Sequence, residues 1–124
     1  MNGAGIGLGP LLGLVVLFAA VVWLAVVIYR PARAAARGDL GPDGSGGMRT
    51  STTLRSPEAW QLGHRAAMIY VGSLPWVAGI AVLGGILGTV WGGAVVGVTI
   101  GLVALAVEVF VYAMGWIFAH IAAR

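Results

Sequence analysis

Three long apolar runs, at about Ile6 to Tyr29, Ala66 to Val90 and Gly93 to Ile121, carry one formally charged side chain between them. At ~1.5 Å of rise per residue, each is long enough as a helix to cross a hydrocarbon core of about 30 Å. A chain of 124 residues that is 60% hydrophobic and 9% charged has too little polar surface for a soluble domain of that size, so it must face lipid. The expectation is an all-α integral membrane protein forming a single membrane domain over 1–124. It has transmembrane helices at about 6–29, 66–90 and 93–121 and a polar loop at 30–65. Met1 to Gly5 hold no basic side chain and the first run is longer than the core of a signal peptide, so it reads as a retained helix.

The charge pattern narrows the function classes. The formal net charge is +3, but there is no lysine, and the arginines stand beside apolar runs rather than along a soluble face, so no nucleic-acid partner is expected. Cysteine is absent, which removes disulfides and thiolate chemistry. His64 and His120 show neither HxxxH nor HExxH spacing and read as interfacial residues, so no metal and no cofactor are expected. No nucleophile elbow, Ser/His/acid grouping or close carboxylate pair occurs, and the chain reads as a non-enzyme.

The polar loop is the one place where fixed charge, capping residues and aromatics come together. Arg30, Arg33 and Arg37 recur every three or four residues and can reach lipid headgroups on a helical continuation. Gly38 to Gly47, GDLGPDGSGG, reads as flexible linker. Ser56-Pro57-Glu58 then supplies an N-cap oxygen, a proline where its missing N–H costs nothing, and an acid at the positive end of the helix dipole. A short interfacial cytoplasmic helix is expected from Ser56, with Trp60 anchored at headgroup level; it either lies flat or runs into the second span. Six arginines in this loop and Arg124 fall on one side of the membrane if the N-terminus is outside and the C-terminus cytoplasmic.

Two intramembrane features complete the pattern. Gly5, Gly9 and Gly13, then Gly84, Gly88 and Gly92, then Gly93, Gly97 and Gly101 are spaced by four and offer smooth faces, the latter two sets flanking a tight turn at Trp91-Gly92-Gly93. Glu108 lies near the middle of the third run, where a charge costs roughly 2.5 to 3.5 kcal/mol on insertion scales. Its depth, counted from the helix ends, pairs it with Ser73 to Trp76. The expected partner is the Val71 carbonyl, left without a donor by Pro75, or Ser73 itself.

Gly47, Arg49, Thr50, Thr53, Leu54, Ser56, Glu58, Trp60, His64 and Arg65, following a first membrane helix and preceding further ones, resemble the signature of the SdpI family of small bacterial membrane proteins. That family is named for an immunity protein against a secreted peptide toxin. Where it commonly has a Pro-Asn segment before this group, the chain reads GPDGSG. The resemblance implies an immunity or signalling protein of the bacterial inner membrane that binds a peptide toxin, a cytoplasmic regulator or a partner membrane protein, besides membrane lipids. Arg49, Thr50, Thr53, Ser56, Glu58, Trp60, His64 and Arg65 are then the candidate binding residues, set against a plain role in capping and seating a helix. Other readings of the residues are an accessory subunit docking through glycine faces and a small proton-linked transporter, as a homo-oligomer, built on Glu108.

Overall fold

A computed structural model of the chain describes residues 6–124, and these form helices and turns with no strand among them. Helix α1 (Leu8–Arg37) does not stop where the apolar run ends. It continues through Pro31 and the alanine-rich segment that carries Arg33 and Arg37, because alanine and arginine are strong helix formers. Gly38, at φ 86°, then ends it in a left-handed cap, with the N–H groups of Gly38 and Asp39 donating to Ala35 and Ala34 carbonyls at 3.2 and 2.8 Å.

Helix α2 (Pro57–Val71) starts as the sequence predicts: the Ser56 hydroxyl accepts from the Ala59 N–H at 3.0 Å, and proline occupies the first turn. After a break at Gly72 and Ser73 the path resumes as α3 (Leu74–Gly92), so the helix from Ser56 runs into the second apolar segment, and the two pieces together are a candidate span of 36 residues. Pro75 lies in the first turn of α3, where no intrahelical donor is lost. Ser73 Oγ donates to the Tyr70 carbonyl at 2.6 Å and seals the break. Helix α4 (Ala94–Ala122) follows a turn at Gly93, whose φ of 87° and ψ of −179° only glycine adopts readily.

α1, the α2/α3 span and α4 are each long and apolar enough to cross a membrane. Trp76, Trp91 and Val95 are more than 70% exposed, as side chains facing lipid are and those of a soluble core are not. The inward face of α4 is a stripe of Gly97, Gly101, Ala104, Glu108, Val111, Gly115 and Ala119 at helical spacing. Small residues let neighbours approach, and the contacts set the register: Leu14 and Thr89 lie at Gly97, Leu17 and Phe18 at Gly101, and Val71 at Gly115. Hence α1 runs parallel to α4, and the α2/α3 span runs antiparallel. Gly88 and Gly97 are filled from within the chain, by Val96 and Ile100 and by Thr89 and Leu14, so they are not free docking faces. No neighbour comes within 4 Å of a side chain added at Gly9, Gly13 or Gly84, while Gly5 lies outside the described residues.

Candidate functional site

The C-terminal end of α1, the loop, the start of α2 and the end of α4 meet at one end of the bundle. All seven arginines belong to these segments. The loop is not a free linker there. It folds back over α2 and is held by side chains that the helix presents on one face.

His64 is the centre of this knot. Fully buried, it accepts from the Met48 backbone N–H at its Nε2, 2.8 Å away, while its Nδ1 lies 2.8 Å from the Trp60 carbonyl one turn back. A backbone N–H can only donate, so Nε2 carries no proton and Nδ1 donates to Trp60: the ring is neutral and its tautomer fixed. His64 precedes the apolar run that starts at Ala66. It is enclosed by protein rather than facing headgroups.

Trp60 is buried beside it, the ring centroids 4.2 Å apart. Its indole Nε1 donates to the Leu40 carbonyl at 2.7 Å, and the Arg49 guanidinium lies over the indole at 5.3 Å. Trp60 is therefore not a headgroup anchor; the loop covers it. Arg49 also donates to the carbonyls of Pro42, at 2.7 Å, and Gly44. One planar cation thus stacks on α2 and pins the glycine-rich segment, a task that suits a guanidinium with several fixed donors. Gln61 adds a bond from its amide to the Ala36 carbonyl of α1 at 3.2 Å.

The threonines close the other side. The buried Thr53 hydroxyl accepts from the Thr50 N–H and donates to the Met48 carbonyl, both at 2.8 Å, within a turn that ends in a 3-10 segment at Thr53–Arg55. Thr52 Oγ1 donates to the His120 carbonyl at 2.7 Å, and Arg55 donates to the Ala123 carbonyl at 2.8 Å, so both tie the loop to the end of α4. Gly63 is buried against the Ala119 carbonyl and the Thr53 methyl, which is what lets α2 and α4 come this close.

Of the eight candidate residues from the sequence, six are drawn into this knot: Arg49, Thr50, Thr53 and His64 through bonds within the loop and to α2, Ser56 as the cap, and Trp60 as the surface on which the loop lies. Glu58 and Arg65 are exposed instead. With Leu62 and Ile69 they form an outward stripe on α2 at four- and three-residue spacing, alternating charge with apolar bulk. Met48, Gln61, Gly63 and His120 were not picked out as site residues. Only Gly63, a glycine inside a helix, carried a local hint.

Glu108 has no such partner. It is fully buried, and neither carboxylate oxygen has a hydrogen bond; Ser73 bonds Tyr70 instead. The pairing expected from helix-end counting fails because the contacts at Gly97 and Gly115 set α4 a few residues further along, with Glu108 level with Ala78. No group of three or more acid or histidine side chains that could hold a metal occurs among the described residues. The chain matches no protein-family model, no curated protein and no solved structure.

Proposed function

We propose that this chain is a non-enzymatic membrane protein of the SdpI type, an immunity or signalling protein of a bacterial inner membrane, with the arginine-rich end on the cytoplasmic side. That end is a recognition platform for a peptide or a cytoplasmic regulator. The observation that carries this reading is the division of labour among the motif residues. The buried ones form a rigid base that joins α1, α2 and α4, and Glu58, Leu62 and Arg65 stand out from it on one face. A partner meets a preformed surface and need not order a flexible loop, which lowers the entropic cost of binding. Apolar bulk between two opposite charges gives such a face both contact area and orientation.

The test is co-purification from the native membrane in mild detergent, read by mass spectrometry. A Glu58→Arg/Arg65→Glu variant changes the face without touching the base, and it is expected to remain inserted and to lose a specific partner. Retention of every partner by that variant rejects the platform reading.

A further inference from the structure

Glu108 is not alone in lacking a hydrogen-bond partner. Trp116 Nε1, two turns further along α4, is also buried and unpaired. Between them stands Tyr112, edge-on to Trp116 with ring centroids 6.0 Å apart, and beyond them His120 joins the loop through Thr52. Glu108, Tyr112, Trp116 and His120 follow one another every four residues. Each therefore neighbours the next on the helix surface, in a row that runs from mid-bundle to the arginine end.

A crevice of about 280 Å³ opens beside this row. It lies between α1 and α4 under the loop, and its walls include Gly46, Gly47, Met48, Tyr112, Val27 and Leu24. With Leu14 at Gly97 and Phe18 near Gly101, Leu24 stands at the depth of Glu108. The crevice thus runs from the loop to Leu24, and Tyr112, its one wall residue from α4, stands between it and Glu108, which lies one turn further along the same face and does not itself line the space. A space of this size has room for several waters, and between largely apolar walls they need polar groups to hold them. Unpaired buried polar groups on either side of Tyr112, one a donor and the other a pair of acceptor atoms, are where such waters belong.

We propose that Glu108 is a proton-binding site loaded from the arginine end through this crevice: the carboxylate takes a proton from hydronium, leaving water, and returns it by the same path. No other titratable or charged group competes at that depth. α3 has none, the α1 residues level with it are apolar until Tyr29 and Arg30, Gly46 to Met48 have none, α2 has only Tyr70 beyond His64 and Arg65, and α4 adds only Tyr112 and His120.

A water-soluble carbodiimide tests this on the full chain in lipid nanodiscs. It reacts with a protonated carboxyl, the proton passing to its nitrogen as the oxygen bonds its carbon, and peptide mass spectrometry locates the adduct. Glu108 is expected to be labelled, at a rate that falls about tenfold per pH unit above its midpoint once corrected for reagent decay. Val27→Trp, which plugs the crevice from its exposed edge, is expected to slow labelling about tenfold with helix content unchanged. Absence of label at Glu108, a rate indifferent to pH, or an unchanged rate in Val27→Trp overturns the proposal.

Discussion

The Met48 backbone N–H donates to Nε2 of His64 at 2.8 Å across sixteen residues of chain, and this bond decides which nitrogen of a buried histidine bears the proton. The loop and α2 are thereby joined through a ring that works only when neutral.

Removing that ring should cost stability. His64→Leu leaves the buried Met48 N–H without an acceptor and breaks the tie between loop and α2, at a cost of about 1 to 3 kcal/mol. Unfolding in detergent, followed by tryptophan fluorescence, should show the native chain more stable than His64→Leu by that amount.

Two glycines of the knot should tolerate no side chain. Gly47 adopts φ 80°, and an added Cβ would lie 2.8 Å from the Trp60 ring and 2.9 Å from His64; at Gly63 it would meet the Ala119 carbonyl at 2.8 Å. Gly47→Ala and Gly63→Ala are each expected to destabilise by about 2 kcal/mol, combining backbone strain or overpacking with displaced bonds. Gly84→Ala, where nothing lies within 4 Å, should be neutral or slightly stabilising in the same thermal unfolding assay.

Trp60 offers a graded cut. Trp60→Phe removes the donor to the Leu40 carbonyl at a cost of about 1 kcal/mol, whereas Trp60→Ala removes the base of the loop and costs about 3 to 5 kcal/mol. Limited proteolysis should therefore leave Gly38 to Gly47 resistant in the native chain, slightly cleaved in Trp60→Phe and rapidly cleaved in Trp60→Ala.

Arginine identity should matter at one position and not at another. Arg49→Lys loses the stack on Trp60 and at least one of two carbonyl bonds, and about 1 to 2 kcal/mol is expected to go with them. Arg65→Lys, on the exposed face, should change stability by less than about 0.5 kcal/mol. Paired denaturation curves check both.

The three long helices, the Ser56 cap and the glycine turn at Gly93 were legible because each depends on neighbours in sequence or on apolar length alone. The knot was not. Its defining bonds, Thr52 to His120 and Arg55 to Ala123, join residues 68 apart, and no periodicity reports such pairs. Composition misled at Gly38 to Gly47, since a glycine-rich segment is flexible only until a distant Arg49 or Trp60 fixes its carbonyls. Trp60 and His64 were rightly placed on one face, but a tryptophan beside an apolar run looks the same whether lipid or a loop will cover it. Glu108 was rightly picked out as an anomaly, and its expected partners, Ser73 and the Val71 carbonyl, lie about one and a half to two helical turns away because small-residue contacts, not helix ends, set the depth of α4.

The uncharged turn between α3 and α4 bears on how the chain enters a bilayer. Carrying one elementary charge across a potential of 100 mV takes ~2.3 kcal/mol, but the α3/α4 hairpin presents Trp91, Gly92 and Gly93 at its tip and contains no arginine, Arg65 and Arg124 lying beyond its other end. In the proposed orientation its passage does no electrical work at the leading edge, and only the protonation of Glu108 decides whether any charge follows. Entering with Glu108 protonated, the hairpin is electrically silent, and a collapsed membrane potential should then leave its yield unchanged.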